Sequence, residues 1–305
     1  MKTIKHQLTK SIGALLLAGL FALPTLLQAQ PTAHYVPGTE GIKAATLPPP
    51  GFWLRDYNSF YFADRVNDSK GHNISAADPK AYIYANVPRL LWITETKVLD
   101  GFLGVDALLP IVYKEIEMNT PGGKFHENTT GIGDFFAEGS WSWHLKQWDL
   151  ALAAGVWVPT GDFSENDPSR IGSGYWGEML TAGATWYLDE EKRWALSVLN
   201  RYEFNQQQEQ TRITPGQAYT IEGGISYAVT KTLDVGPIGY FQRQMTGDHG
   251  SNASSGQDSV AAIGPEISTF FPKWMLGVSF RYAYEFLSQD RLQGHTFTLT
   301  ITKKL

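Results

Sequence analysis

The chain has 305 residues, a formal charge of −5 and no cysteine. This mildly acidic balance argues against a nucleic-acid partner, and the absence of thiols excludes disulfide staples and thiolate metal sites. The mean hydropathy of −0.23 resembles that of a soluble protein, yet a barrel that turns every second strand residue toward a polar lumen gives the same value.

In chain order, the first element is a leader. Lys2, Lys5 and Lys10 form a positive start, Ile12 to Leu27 is mostly apolar, and Leu27-Gln28-Ala29 offers a small residue before a cut. This is the layout of a secretory signal peptide over residues 1–29, and its apolar run is shorter than the roughly 20 residues of a spanning helix. Cleavage after Ala29 would remove three lysines and no acid. Residues 30–50 follow, with Pro37 and Pro48-Pro49-Pro50. Proline fixes φ and lacks an N–H, so this piece is expected to be neither ladder strand nor helix interior. It also holds Tyr35, Val36, Ile42 and Leu47, which cost free energy if left in water. The segment is therefore expected to lie on the periplasmic side and to fold into the mouth of the domain that follows, as a plug.

From residue 51 to residue 305 the pattern has period two. On 216–230, Tyr219, Ile221, Ile225, Tyr227 and Val229 share one face, opposite Thr220, Glu222, Gly224 and Ser226. On 274–288, Trp274, Leu276, Val278, Phe280, Tyr282, Tyr284 and Phe286 oppose Ser279, Arg281, Ala283 and Glu285. Successive side chains of a strand point to opposite faces, so these are two-faced strands. About twelve such segments are expected, near 51–63, 80–93, 102–117, 131–143, 148–160, 172–187, 193–205, 217–229, 233–246, 259–271, 274–287 and 293–303. Long polar connections (64–79, 118–130, 161–171, 206–216, 247–258) alternate with short ones (94–101, 144–147, 188–192, 230–232, 272–273). That alternation predicts an all-β, transmembrane, antiparallel up-and-down β-barrel in the bacterial outer membrane, with outer-membrane lipid around it. A ring stands near almost every short turn: Trp92, Trp143, Trp148, Trp186, Trp194, Tyr227, Phe271 and Trp274. Tyr61, Tyr82, Tyr113, Trp157, Tyr175, Tyr202, Tyr219, Tyr240 and Tyr284 stand near the opposite ends. Two interfacial girdles are expected from them.

If the apolar face meets lipid, the other face lines the lumen. The lumen-lining candidates are Asp106, Asp134, Glu138, Arg201, Glu203, Glu222, Glu266, Arg281 and Glu285. Acids outnumber arginines among them, so an aqueous path would disfavour anions. No catalytic residue, metal-ligand spacing or cofactor motif emerges: the seven His are scattered, and Gly131-x-Gly133 opens no helix. The enzymatic alternative is a lipolytic barrel using His249-Gly250-Ser251-Asn252, where a His precedes a Ser by two residues. That piece sits in a Gly/Ser-rich connection. A third alternative is a structural barrel without transport.

The block Ala33 to Gly41, then Pro48-Pro49-Pro50-Gly51-Phe52 and Asp56-Tyr57-Asn58, resembles the outer-membrane family named for the meta-pathway of phenol degradation. Leu109-Pro110, Gly131-Ile132-Gly133-Asp134, Val158-Pro159-Thr160-Gly161-Asp162, Tyr187-Leu188 and Tyr202-Glu203-Phe204-Asn205 extend the match. The resemblance implies a transporter-like outer-membrane barrel for passive uptake of small hydrophobic or aromatic compounds, without cofactor. The terminal Leu305 departs from the aromatic that commonly closes such barrels.

Overall fold

A computed structural model describes residues 33–74, 78–120, 123–165, 170–251 and 253–305. The expected leader at 1–29 lies outside them. The strands are β1 (Gly51–Val66), β2 (Pro79–Val98), β3 (Gly101–Leu108), β4 (Ile111–Thr120), β5 (Gly123–Ile132), β6 (Phe135–His144), β7 (Trp148–Val158), β8 (Gly177–Tyr187), β9 (Trp194–Asn205), β10 (Ala218–Ala228), β11 (Leu233–Gln244), β12 (Ser259–Phe271), β13 (Leu276–Gln289) and β14 (Leu292–Lys304). All pairings are antiparallel. β1 pairs with both β14 and β2, so the sheet closes on itself.

These segments make twelve staves, because two staves are interrupted. Arg89 pairs with Leu108 and Asn86 with Ile111 in one unbroken register, so β3 and β4 are a single stave facing β2. The interruption falls at Leu109-Pro110, beside Pro88 of β2. Neither proline has an N–H for the ladder. The next stave is split into β5 and β6 at Gly133-Asp134. The expectation of a loop at 118–130 is thereby corrected: β4 and β5 form a hairpin there, with Ile111 opposite Ile132 and Asn119 opposite Lys124. β5 carries the ladder on its β4 side alone.

The short turns lie at one end. Leu99 and Asp100 both take left-handed φ (48° and 63°) between β2 and β3, the geometry of a two-residue type I′ hairpin usually made by Asn-Gly. The indole N–H groups of Trp141 and Trp143 brace this turn on the Val98 and Leu99 carbonyls, each at 2.9 Å. A 3-10 turn at Pro272–Trp274 joins β12 to β13.

Outward faces are apolar: Leu152, Leu180, Ile225, Ile263, Ile267 and Phe280 are exposed. Phe52 stacks on Trp92 and Trp148 on Trp186 near the short-turn end, as a lower girdle. The upper girdle departs from expectation. Tyr61, Trp157, Tyr175 and Tyr240 point inward, the last three with no more than 5% exposure and Tyr61 with its hydroxyl on Glu285 at 2.8 Å. Tyr82, Tyr113 and Tyr284 of the expected set are exposed, and Phe60, Phe62 and Tyr84 add outer rings on β1 and β2. The rule that strand charges turn inward also has an exception. Asp56, Asn58 and Asn86 share the outward face of Phe60 and Leu90, between the two girdles. They satisfy one another: both amides donate to Asp56, at 2.9 and 2.8 Å, and the Tyr84 hydroxyl donates to Asn58 at 2.7 Å.

Candidate functional site

Residues 33–50 run inside the barrel and form a strap along one wall. Three glutamates from that wall hold the strap by its backbone. Glu203 of β9 accepts the N–H groups of His34 and Tyr35, at 2.8 and 3.2 Å. Glu222 of β10 accepts those of Gly38 and Glu40, at 2.9 and 3.4 Å. Glu266 of β12 accepts that of Ile42 at 2.8 Å. Carboxylates are the strongest acceptors for such amides, and a proline-rich segment that cannot join the ladder leaves its N–H groups free for them. Gly38 has φ +82°, and a Cβ there would fall 2.6 Å from the Tyr240 ring. Only glycine adopts this conformation so close to a wall. Toward the short-turn end, Lys43 pairs with Asp234 at 2.8 Å and Thr46 donates to Asp149 at 2.9 Å. The Trp53 indole then holds the Pro49 carbonyl at 2.9 Å where the strap passes into β1.

The strap also reaches across the lumen. Its Glu40 carboxylate accepts from the Tyr57 hydroxyl at 2.6 Å and from Arg55 at 3.2 Å, with Arg89 at 3.6 Å. Arg89 in turn grips Asp106 through two nitrogens, at 2.7 and 2.9 Å, and contacts Glu138. At the strap's other end His34 lies between Glu203, at 2.8 Å, and Asp134, at 3.5 Å, and stacks on Trp157. Asp134 accepts backbone N–H groups of Gly161 and Ser173, at 3.0 and 2.8 Å, and so ties the connection between β7 and β8 to the same cluster.

The structure places all nine charged positions selected from the sequence on the inner face. Glu203, Glu222 and Glu266 hold the strap. Arg201 binds Glu222, which also takes the Tyr35 hydroxyl. Arg281 lies 3.6 Å from Glu266 and donates to the Thr39 carbonyl. Asp106 and Glu138 flank Arg89, and Asp134 lies beside His34. Glu285 accepts from Tyr61, Tyr240 and the Gly294 amide, at 2.8, 3.1 and 2.8 Å. Sequence reading missed His34, Glu40, Arg55, Arg89 and Arg291. Strand parity was the available signal for Arg55 and Arg89, which share faces with Tyr57 and Leu91. With Arg55, Arg89 and Arg291, the last 3.3 Å from Asp258, included, the acids are engaged by guanidinium groups, hydroxyls and amides. Their excess in the sequence does not describe the charge offered to a solute.

Because the strap follows the β9–β12 wall, space remains on the other side. A cavity of about 350 Å³ lies between Ala33–Thr39 of the strap and the inner faces of β1, β2, β4, β6 and β14. Tyr61, Ile83, Val87, Val112, Ile116, Phe136, Trp157 and Leu292 give it a mostly apolar lining, and Tyr57, Arg89, Glu138 and Arg201 bring polar groups to it. His249 of the His-x-Ser piece exchanges backbone hydrogen bonds with Thr214, at 2.9 and 2.7 Å. Asn252 lies outside the described residues. Among the described residues no group of His or acids is arranged to hold a metal ion.

A closed barrel with an apolar outer belt, aromatic girdles and charged residues turned inward is the architecture of a bacterial outer-membrane protein. The chain belongs to the family described as "Putative MetA-pathway of phenol degradation", whose profile matches residues 63–301. Among solved structures, it is similar to an outer membrane channel from Pseudomonas putida F1, with TM-score 0.74 and 15% identity over 89% of this chain and 100% of that one. It is also similar to the transport unit of the autotransporter AIDA-I from Escherichia coli, with TM-score 0.52 and 11% identity over 92% and 96%. At these identities the likenesses establish the fold. No curated protein matches the chain in sequence.

Proposed function

We propose that the protein is a passive outer-membrane route for small, largely apolar or aromatic solutes, and that the strap narrows its lumen. The observation that carries this reading is the apolar cavity held open between the strap and the β1–β2–β4 wall. A lumen serving only as a packed support has no need of such a space. Ligand sites are typically concave and apolar with a few placed polar groups, and this cavity has that composition. The family's association with phenol degradation fits an aromatic solute. No step requires an energy source, since diffusion down a gradient suffices.

The test compares cells lacking the protein, cells with the intact protein, and cells with a form lacking residues 31–46, using uptake of radiolabelled toluene at low external concentration. Uptake should rise in that order, with the truncated barrel still folded. Equal rates in all three would overturn the route. Equal rates in the last two alone would overturn the strap's role.

A further inference from the structure

Two guanidinium groups and a phenol converge on one carboxylate beside the cavity. Tyr57 and Arg89 line the cavity, and Arg55 lies beside them on β1. The carboxylate they hold belongs to Glu40 of the strap, a part of the chain outside the barrel wall. Planar guanidinium forks are the usual protein device for binding carboxylates.

The charge balance of this cluster is uneven in an informative way. The wall itself neutralises Arg89 through Asp106 and Glu138. Among the described residues, Arg55 has Glu40 as its only ion-pair partner, and the Arg55 side chain is 14% exposed. Withdrawing Glu40 with nothing in its place would strand a largely buried cation, which is strongly unfavourable. A neutral solute in the cavity offers Arg55 no replacement charge and therefore passes with Glu40 in place. A solute carrying its own carboxylate can displace Glu40, because the exchange leaves the local charge unchanged.

We propose that the cavity is a binding site for apolar monocarboxylates, a ring or short hydrocarbon body bearing one carboxylate, and that such a solute displaces Glu40 from Arg55, Arg89 and Tyr57. The exchange widens the lumen where Glu40 narrows it. The inference rests on the lumen being a solute route and adds the charge of the solute and the residues that receive it.

The test measures calorimetric binding of naphthoate and of naphthamide, the same ring system with a charged and a neutral head, to the full-length mature protein in nanodiscs. Naphthoate should bind at least about tenfold more tightly. Arg55→Gln should bring naphthoate to the level that naphthamide shows in the parent protein. Glu40→Gln, which removes the internal competitor, should tighten naphthoate severalfold, and it provides a test even if the Arg55 variant fails to assemble. Equal affinity of the two probes for the parent protein, or no tightening in Glu40→Gln, overturns the carboxylate site. If protein-dependent toluene uptake persists alongside that result, only this inference falls. If that uptake is also absent, the route falls with it.

Discussion

Glu222 offers the sharpest test of the strap's attachment. Its carboxylate accepts from Arg201, from the Tyr35 hydroxyl and from the amides of Gly38 and Glu40, and it is 2% exposed. Glu222→Gln preserves the volume, removes the charge and turns one acceptor into a donor that faces other donors. Hydrogen bonds to charged groups contribute about 1.5–3 kcal/mol each. Three of these bonds come from the strap, and the amide retains one acceptor, so the strap should lose about 3 kcal/mol of local stability, the low end for two such bonds. At about 1.4 kcal/mol per tenfold, this is roughly a hundredfold rise in its opening equilibrium. Hydrogen exchange in nanodiscs reads it directly. The Gly38 and Glu40 amides should exchange roughly a hundredfold faster, while ladder amides between β9 and β10 keep their protection. Unchanged exchange at Gly38 and Glu40 would refute the attachment. Equal acceleration of the ladder amides would mean that Glu222 supports the wall instead.

Other expectations concern the outer surface and the topology. Ile225 and Ile263 are 45% and 56% exposed on the outward face, so Arg at either should cost about 2–4 kcal/mol, read as reduced folded yield in urea titrations. Leucine at the same positions should be neutral. The Asp56–Asn58–Asn86 cluster predicts opposite signs for single and combined changes. Asp56→Leu alone removes the acceptor of the Asn58 amide and one of the two acceptors of the Asn86 amide, and should destabilise by about 1–3 kcal/mol. Replacing all three by Leu should restore or exceed the parent stability, and a triple variant weaker than the single one would refute this. The chain lacks cysteine, so single cysteines report topology without background. Ser251→Cys should react with an impermeant maleimide on intact cells and Lys231→Cys should not, and the reverse pattern would invert the barrel.

Most of the barrel was legible because its alternation is strong. On β10 and β13 the faces separate cleanly, and Thr220, Glu222, Ser226, Ser279, Arg281 and Glu285 are all buried inside. The misplaced girdle residues came from reading position along a strand without parity. Trp157 lies on the face of Asp149 and Ala151, opposite Leu150 and Leu152, and so had to point inward. Tyr61 likewise shares a face with Tyr57. β5 was illegible for a different reason. Its sequence, Gly123 to Ile132, is mostly polar on both faces, so no apolar stripe marks it. Glu40 and His34 escaped because nothing local assigns a partner to a charge in a proline-rich tail. The partners of His34, namely Asp134 and Glu203, lie far along the chain, and those of Glu40, namely Arg55, Tyr57 and Arg89, lie on β1 and β2.

Glu203, Glu222 and Glu266 act on the strap through main-chain amides, a feature shared by every residue type except proline, and Pro37 sits where none of them acts. In engineering terms the barrel is a socket that recognises a backbone more than a sequence. For a strap cut away and supplied as a separate peptide, these amides would be the contacts that reseat it. Variants of that peptide that keep the amide spacing and change the side chains facing the cavity would refit the same wall with a different lining.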